Sequence, residues 1–278
     1  MEDTMIKRIL VDLSDTHRAQ GIVGHATSLA QRHQAEMTVV GSPLREPTGT
    51  KKMQSMGAAW WARELNRQGR IDAEVAISQT AETLRERCQS QGIPLSVVHE
   101  DRDEGFPAMV NRYRFHDLLV CGTSPRLDDA SLAPSGEELL RLVDVGVRPI
   151  LAVPGEFRPI RSALVAVSRA LDAARALKQF IHLGLCQDVS VEIACENSEE
   201  DPAALLADAA RYCRRHGLEV GQQVLAGTLS QELLPHAVEA EADLVVIGHT
   251  DHGRLARWFF GGTMMEIIRE SDRCLFLS

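Results

Sequence analysis

Aromatic residues are scarce in this chain: seven phenylalanines, three tryptophans and two tyrosines among 278 residues. A surface that stacks nucleic-acid bases needs aromatics set in a basic groove. Basic residues are outnumbered as well, 30 Lys and Arg against 39 Asp and Glu, for a formal net charge of −9. With a sequence pI near 5.6, a surface that neutralises a phosphate backbone is disfavoured, and no nucleic-acid partner is expected. Cys-x-x-Cys pairs are missing. The six cysteines are Cys88, Cys121, Cys186, Cys195, Cys213 and Cys274, and most sit in apolar runs such as "LLVCG" and "RCLFL". That is the setting of buried, reduced thiols. No run approaches the roughly 20 apolar residues of a membrane span. The opening "MEDTMIKRIL" holds no apolar segment of signal length. A cytoplasmic protein without a membrane partner is expected. There is no Gly-x-Ser-x-Gly elbow, no Walker A run and no His-Glu-x-x-His, so no catalytic residues are named and no enzyme activity is expected.

What the chain does contain is itself, twice. "RERCQSQGIPLSVV" and "ARYCRRHGLEVGQQV" place Cys88 against Cys213 and Gly92 against Gly217, each 125 residues apart. "DLLVCG" from Asp117 matches "DLVVIG" from Asp243 at 126, and "RPILAV" from Arg148 matches "RCLFLS" from Arg273 at 125. Agreement at nearly one offset marks an internal repeat. The first strands, "RILVDL" from Arg8 and "SALVAV" from Ser162, lie 154 apart. The first copy therefore carries about 29 extra residues before its cysteine helix, an insert near 41–75 that holds Trp60 and Trp61.

Each copy alternates short apolar runs with helical periods. Strands are expected at about 7–13, 36–41, 94–99, 117–121 and 149–153, then at 162–167, 188–195, 218–225, 243–247 and 273–277. Helices are expected at about 16–34, 78–91, 105–115 and 137–145, then at 170–184, 202–216, 229–240 and 263–271. Continuous apolar strands between helices imply a parallel sheet covered on both faces. The fold class is α/β: two tandem doubly wound, Rossmann-like domains of about five strands each, over 1–154 and 160–278. They are joined through "VPGEFRPIRS".

The fourth strand of the second copy runs into "GHTDHGRLARWFFGGTMMEII", Gly248 to Ile268. Glycines between a strand and a helix can turn backbone N–H groups toward phosphate, and ligands of open sheets sit beyond the strands' carboxyl ends. With this loop the chain resembles the universal stress protein family in its tandem form. The resemblance covers nearly the whole chain apart from the insert. It implies Gly-x2-Gly-x9-Gly-Ser/Thr after the fourth strand under the phosphates of ATP, an aspartate ending the first strand to read adenine, and halves paired through their last strands.

Compared residue by residue, Gly248 holds the first glycine position. Asp251 replaces the second, with Gly253 two places late, and Gly261 holds the third. Gly262 stands at the hydroxyl position with Thr263 one place late, and Ser168 stands where the aspartate would be. Gly248, Gly253, Gly261, Gly262, Thr263 and Ser168 are the candidate nucleotide-binding residues, for ATP or another adenine nucleotide in the C-terminal half only. In the first half, Gly122 and Gly136 remain beside Asp128, Asp129, Glu137 and Glu138, which oppose a triphosphate. There Ser14 takes the aspartate position, with Asp15 after it and Asp12 two residues before.

Thr263-Met-Met-Glu266 also reads as a capping box. His249, His252, Arg254 and Arg257 read either as a solvated loop or as phosphate neutralisation. His249, Asp251 and His252 lack a fourth zinc ligand, so no metal is expected. Two readings of function follow: a stress-adaptation module that binds an adenine nucleotide, and a nucleotide-free interaction protein with degenerate loops. The paired tryptophans of the insert suit cover of the core, a homodimer contact or a protein partner.

Overall fold

The computed structural model describes residues 6–41, 56–99, 105–123, 137–147, 149–248 and 272–278. The apolar runs of the first half form β1 (Arg8–Asp12), β2 (Glu36–Gly41), β3 (Leu95–His99), β4 (Leu118–Gly122) and β5 (Ile150–Val153). Those of the second form β6 (Ser162–Ala166), β7 (Ser190–Glu196), β8 (Val220–Leu225), β9 (Leu244–Ile247) and β10 (Cys274–Leu277). Between them lie α1 (Ala19–His33), α2 (Met56–Gln91), α3 (Gly105–Tyr113), α4 (Glu137–Asp144), α5 (Leu171–His182), α6 (Pro202–Arg215) and α7 (Leu229–Glu239). The helix expected at 263–271 lies outside the described residues.

All ten strands join one sheet in the order β3-β2-β1-β4-β5-β10-β9-β6-β7-β8. Every pairing is parallel except β5 with β10, where Leu275, Phe276 and Leu277 run antiparallel to Ala152, Leu151 and Ile150. The α/β class expected from the alternating pattern is what forms. Each half repeats one topology, and equivalent last strands meet at the centre. Because side chains alternate across a strand, Ile9, Val11, Leu118, Val165 and Val246 enter one core, with Phe180 of α5. Leu10, Leu119, Leu164, Val245 and Leu275 enter the other, with Leu142 of α4 and Leu233 of α7. Both cores run across the seam.

One expectation is corrected. The cysteine helix does not begin near residue 78; α2 starts at Met56 and runs 36 residues to Gln91. Much of the supposed insert is thus an N-terminal extension of that helix. The run "MGAAWWARELNRQGR" is rich in Ala and Arg and holds no proline, so helix propagation from the periodic part meets only two glycines. Trp60 and Trp61 lie on this extension.

The aspartates opening "DLLVCG" and "DLVVIG" have a shared task. Asp117 Oδ2 accepts from the backbone N–H of Lys7 and Arg8 at 2.8 and 2.9 Å. Asp243 Oδ2 does the same for Arg161 and Ser162 at 2.8 and 3.1 Å. In each half the carboxylate before the fourth strand anchors the backbone that enters the first.

The link between the halves lies against α1. Gly21 N–H donates to Gly155 O at 2.9 Å, and a Cβ on Gly21 would stand 1.9 Å from Pro154 O. Phe157 packs on Gly24 and edge-on to the His25 ring, 4.8 Å between centroids. His25 Nε2 lies 3.4 Å from Cys274 Sγ on β10, so a first-half helix reaches a second-half strand.

Burial lowers the His25 pKa from its ordinary 6.5 to about 4. Above pH 6.5 the folded and unfolded states both hold a neutral ring. As pH falls below 6.5, the unfolded chain takes up a proton that the folded chain refuses until about pH 4. Stability must therefore drop across that window, by roughly 3 kcal/mol from this group. Urea titrations at a series of pH values should show the drop, and His25→Gln should flatten it. An unchanged pH profile in that variant would remove His25 as the cause.

Candidate functional site

The strand order reverses once in each half, between β1 and β4 and between β6 and β9, and this opens a crevice at the carboxyl ends of those strands. In the second half the crevice is bounded by Ser168, two residues beyond β6, and Gly248, directly after β9. Gly248 is buried, and an added Cβ would stand 2.3 Å from Asp172 O and 2.6 Å from Ala173 N in the first turn of α5. The strand end and the helix start touch backbone to backbone. Ser168 is half-buried, and its Oγ accepts from Ala170 N–H at 3.2 Å. Beside it Arg169 pairs with Glu200 at 3.1 Å. The structure thus brings Ser168 and Gly248 to the two walls of one crevice. Gly253, Gly261, Gly262 and Thr263 lie outside the described residues, as do His249, Asp251, His252, Arg254 and Arg257.

The first-half crevice has the opposite character. Asp12 and Asp15 are 1% and 2% exposed, far below the usual exposure of carboxylates. Asp12 accepts from Ser14 N–H at 3.0 Å and from Ser14 Oγ–H at 2.7 Å. Asp15 accepts from Arg18 at 3.1 Å and fills the space over Gly122, where a Cβ would meet its Oδ2 at 2.4 Å. Thr123, directly after Gly122, is fully buried, its Oγ1 without a hydrogen-bond partner among the described residues. The buried carboxylates raise the Cys121 thiol further above its ordinary pKa, after desolvation. The β1–β2 register ends with Asp12 opposite Val40, so Asp12 closes the strand and Ser14 stands two residues beyond it, as Ser168 stands beyond β6.

All six cysteines are buried and free. Burial pushes Cys88 and Cys195 up to about 11, so these thiols stay protonated and are poor nucleophiles. No helix among the described residues is long and apolar enough to cross a membrane. Among those residues no group of three or more His, Cys, Asp or Glu is placed to hold a metal.

Residues 159–273 match the model of the universal stress protein family. This chain carries a universal stress protein domain. The match takes in β6 through β9 and the whole glycine loop. The fold of the full chain is similar to that of a universal stress protein from Archaeoglobus fulgidus DSM 4304, with a TM-score of 0.68 at 15% identity over 97% of this chain and 95% of that one. It is also similar to a functionally unknown protein from Pseudomonas aeruginosa PAO1, with a TM-score of 0.58 at 13% identity over 99% and 92%. No curated protein matches the sequence significantly. At these identities the likeness is one of fold, and it extends over both halves.

Proposed function

We propose that the universal stress domain of the second half binds an adenine nucleotide, ATP or AMP, and that occupancy biases the protein's interactions during stress adaptation. The observation that carries the reading is the charge contrast between two otherwise equivalent crevices. The first is occupied by two buried carboxylates, Asp12 and Asp15. The second has the Ser168 hydroxyl in place of a carboxylate, the neighbouring Arg169 being paired with Glu199 and Glu200, and leads into a loop with two histidines and two arginines. An anion is repelled by the first setting and tolerated by the second. Gly248, Gly253, Gly261, Gly262 and Thr263 would lie around the phosphates, with Ser168 near the base.

A second reading keeps the protein free of nucleotide and makes it an interaction module. It is favoured by Ser168, whose hydroxyl is turned to its own backbone where a base-reading carboxylate would be needed. Helix α2 would then be the contact, through the exposed Ile71 and Val75 one turn apart and the segment carrying Trp60 and Trp61.

Mass spectrometry of material released on denaturation, with calorimetric titration by ATP and AMP, separates the two. The first reading expects saturable binding that Gly261→Asp abolishes while the unfolding midpoint stays put. Equal affinity in that variant would reject the loop assignment, and a blank titration of folded protein would leave the interaction reading.

A further inference from the structure

Away from the crevices, at the opposite edge of the second half, α5 and α6 end side by side. His182 is the last residue of α5 and His216 follows the last of α6. Both are exposed, and their ring centroids are 5.4 Å apart with planes inclined at 55°. Tyr212 holds both rings. Its Oη lies 3.1 Å from His182 Nε2, and its own ring lies 4.6 Å from that of His216. Histidine near a helix C-terminus is favourable through the helix dipole alone, but that effect places one ring at each end and does not bring two together.

The separation fits a shared ligand. A zinc-like ion sits 2.0–2.1 Å from an imidazole nitrogen, about 3.2 Å from the ring centroid, so two imidazoles at a tetrahedral or slightly wider angle have centroids about 5–5.5 Å apart. Neutral imidazole suits first-row cations of borderline softness. We propose that His182 and His216 form a surface site for one divalent first-row transition cation of the Zn2+, Ni2+ or Cu2+ class, with water completing the coordination. Tyr212 is the positioning residue: with its Oη on Nε2 of His182, that ring would ligate through Nδ1, and both rings are restrained before the ion arrives, which lowers the ordering cost of binding. Lys178, whose Nζ is 5.7 Å from the Tyr212 ring centroid, opposes the cation, so Lys178→Ala should tighten binding.

The test is titration of the full chain with Zn2+ at neutral pH, followed by calorimetry and by the thermal midpoint. One equivalent should bind and raise the midpoint. His182→Ala and His216→Ala should each weaken binding by about tenfold or more, the scale set by loss of even a supporting partner, while leaving the metal-free midpoint unchanged. His249→Ala/His252→Ala, in the glycine loop, should bind as the parent does. With Cu2+, the nitrogen couplings in electron paramagnetic resonance should fall by one imidazole in each single variant. Absence of saturable binding, or binding that survives both single substitutions or disappears only in the loop variant, would overturn the site.

Discussion

Phe276→Ala should cost about 4 kcal/mol, seen as a lowered urea midpoint. Phe276 is fully buried on β10, the strand through which the halves exchange backbone hydrogen bonds among the described residues. It stands opposite Leu151 of β5 on one side and Val246 of β9 on the other, and its ring meets Phe180 of α5 edge-on, 6.3 Å between centroids. Truncation leaves a cavity beneath α5 that cannot collapse, because β10 is pinned from both sides. Phe276→Leu keeps most of the volume and should cost less than about 1.5 kcal/mol. Equal costs for the two variants would mean that the seam is held by backbone pairing and not by this ring.

Gly248→Ala should destabilise the second half by about 3 kcal/mol. The added methyl would meet backbone atoms of Asp172 and Ala173 inside 3 Å, and backbone in the first turn of a helix cannot rotate away as a side chain can. Either β9 or α5 must shift. This outcome has a bearing on nucleotide binding. Loss of affinity in a Gly248 variant would accompany loss of structure and decide nothing, which is why Gly261 is the better position to probe. Stability unchanged in Gly248→Ala, with affinity lost, would show instead that this glycine serves a ligand alone.

The repeat was legible because its signals are local. Asp117 and Asp243 open matching apolar runs, and each strand is a continuous apolar stretch that helical residues do not imitate. Gly248 was legible only in part: its place after a strand suggests a phosphate loop, whereas its close contact with Asp172 depends on a helix 76 residues earlier in the chain. The extension of α2 was missed because the comparison of copies treats whatever has no counterpart as inserted, and a longer helix has no counterpart. The His25–Cys274 contact joins residues 249 apart, a distance over which no local pattern speaks.

The antiparallel seam between β5 and β10 has a genetic consequence. When two identical chains pair about a two-fold axis, every substitution is made in both sites at once. Here the partners are halves of one chain, kept at high effective concentration by a short link, so each crevice can mutate alone. One holds Asp12 and Asp15, the other Ser168 and Arg169. Covalent linkage of the two halves lets a symmetric architecture carry two chemically different crevices within one chain.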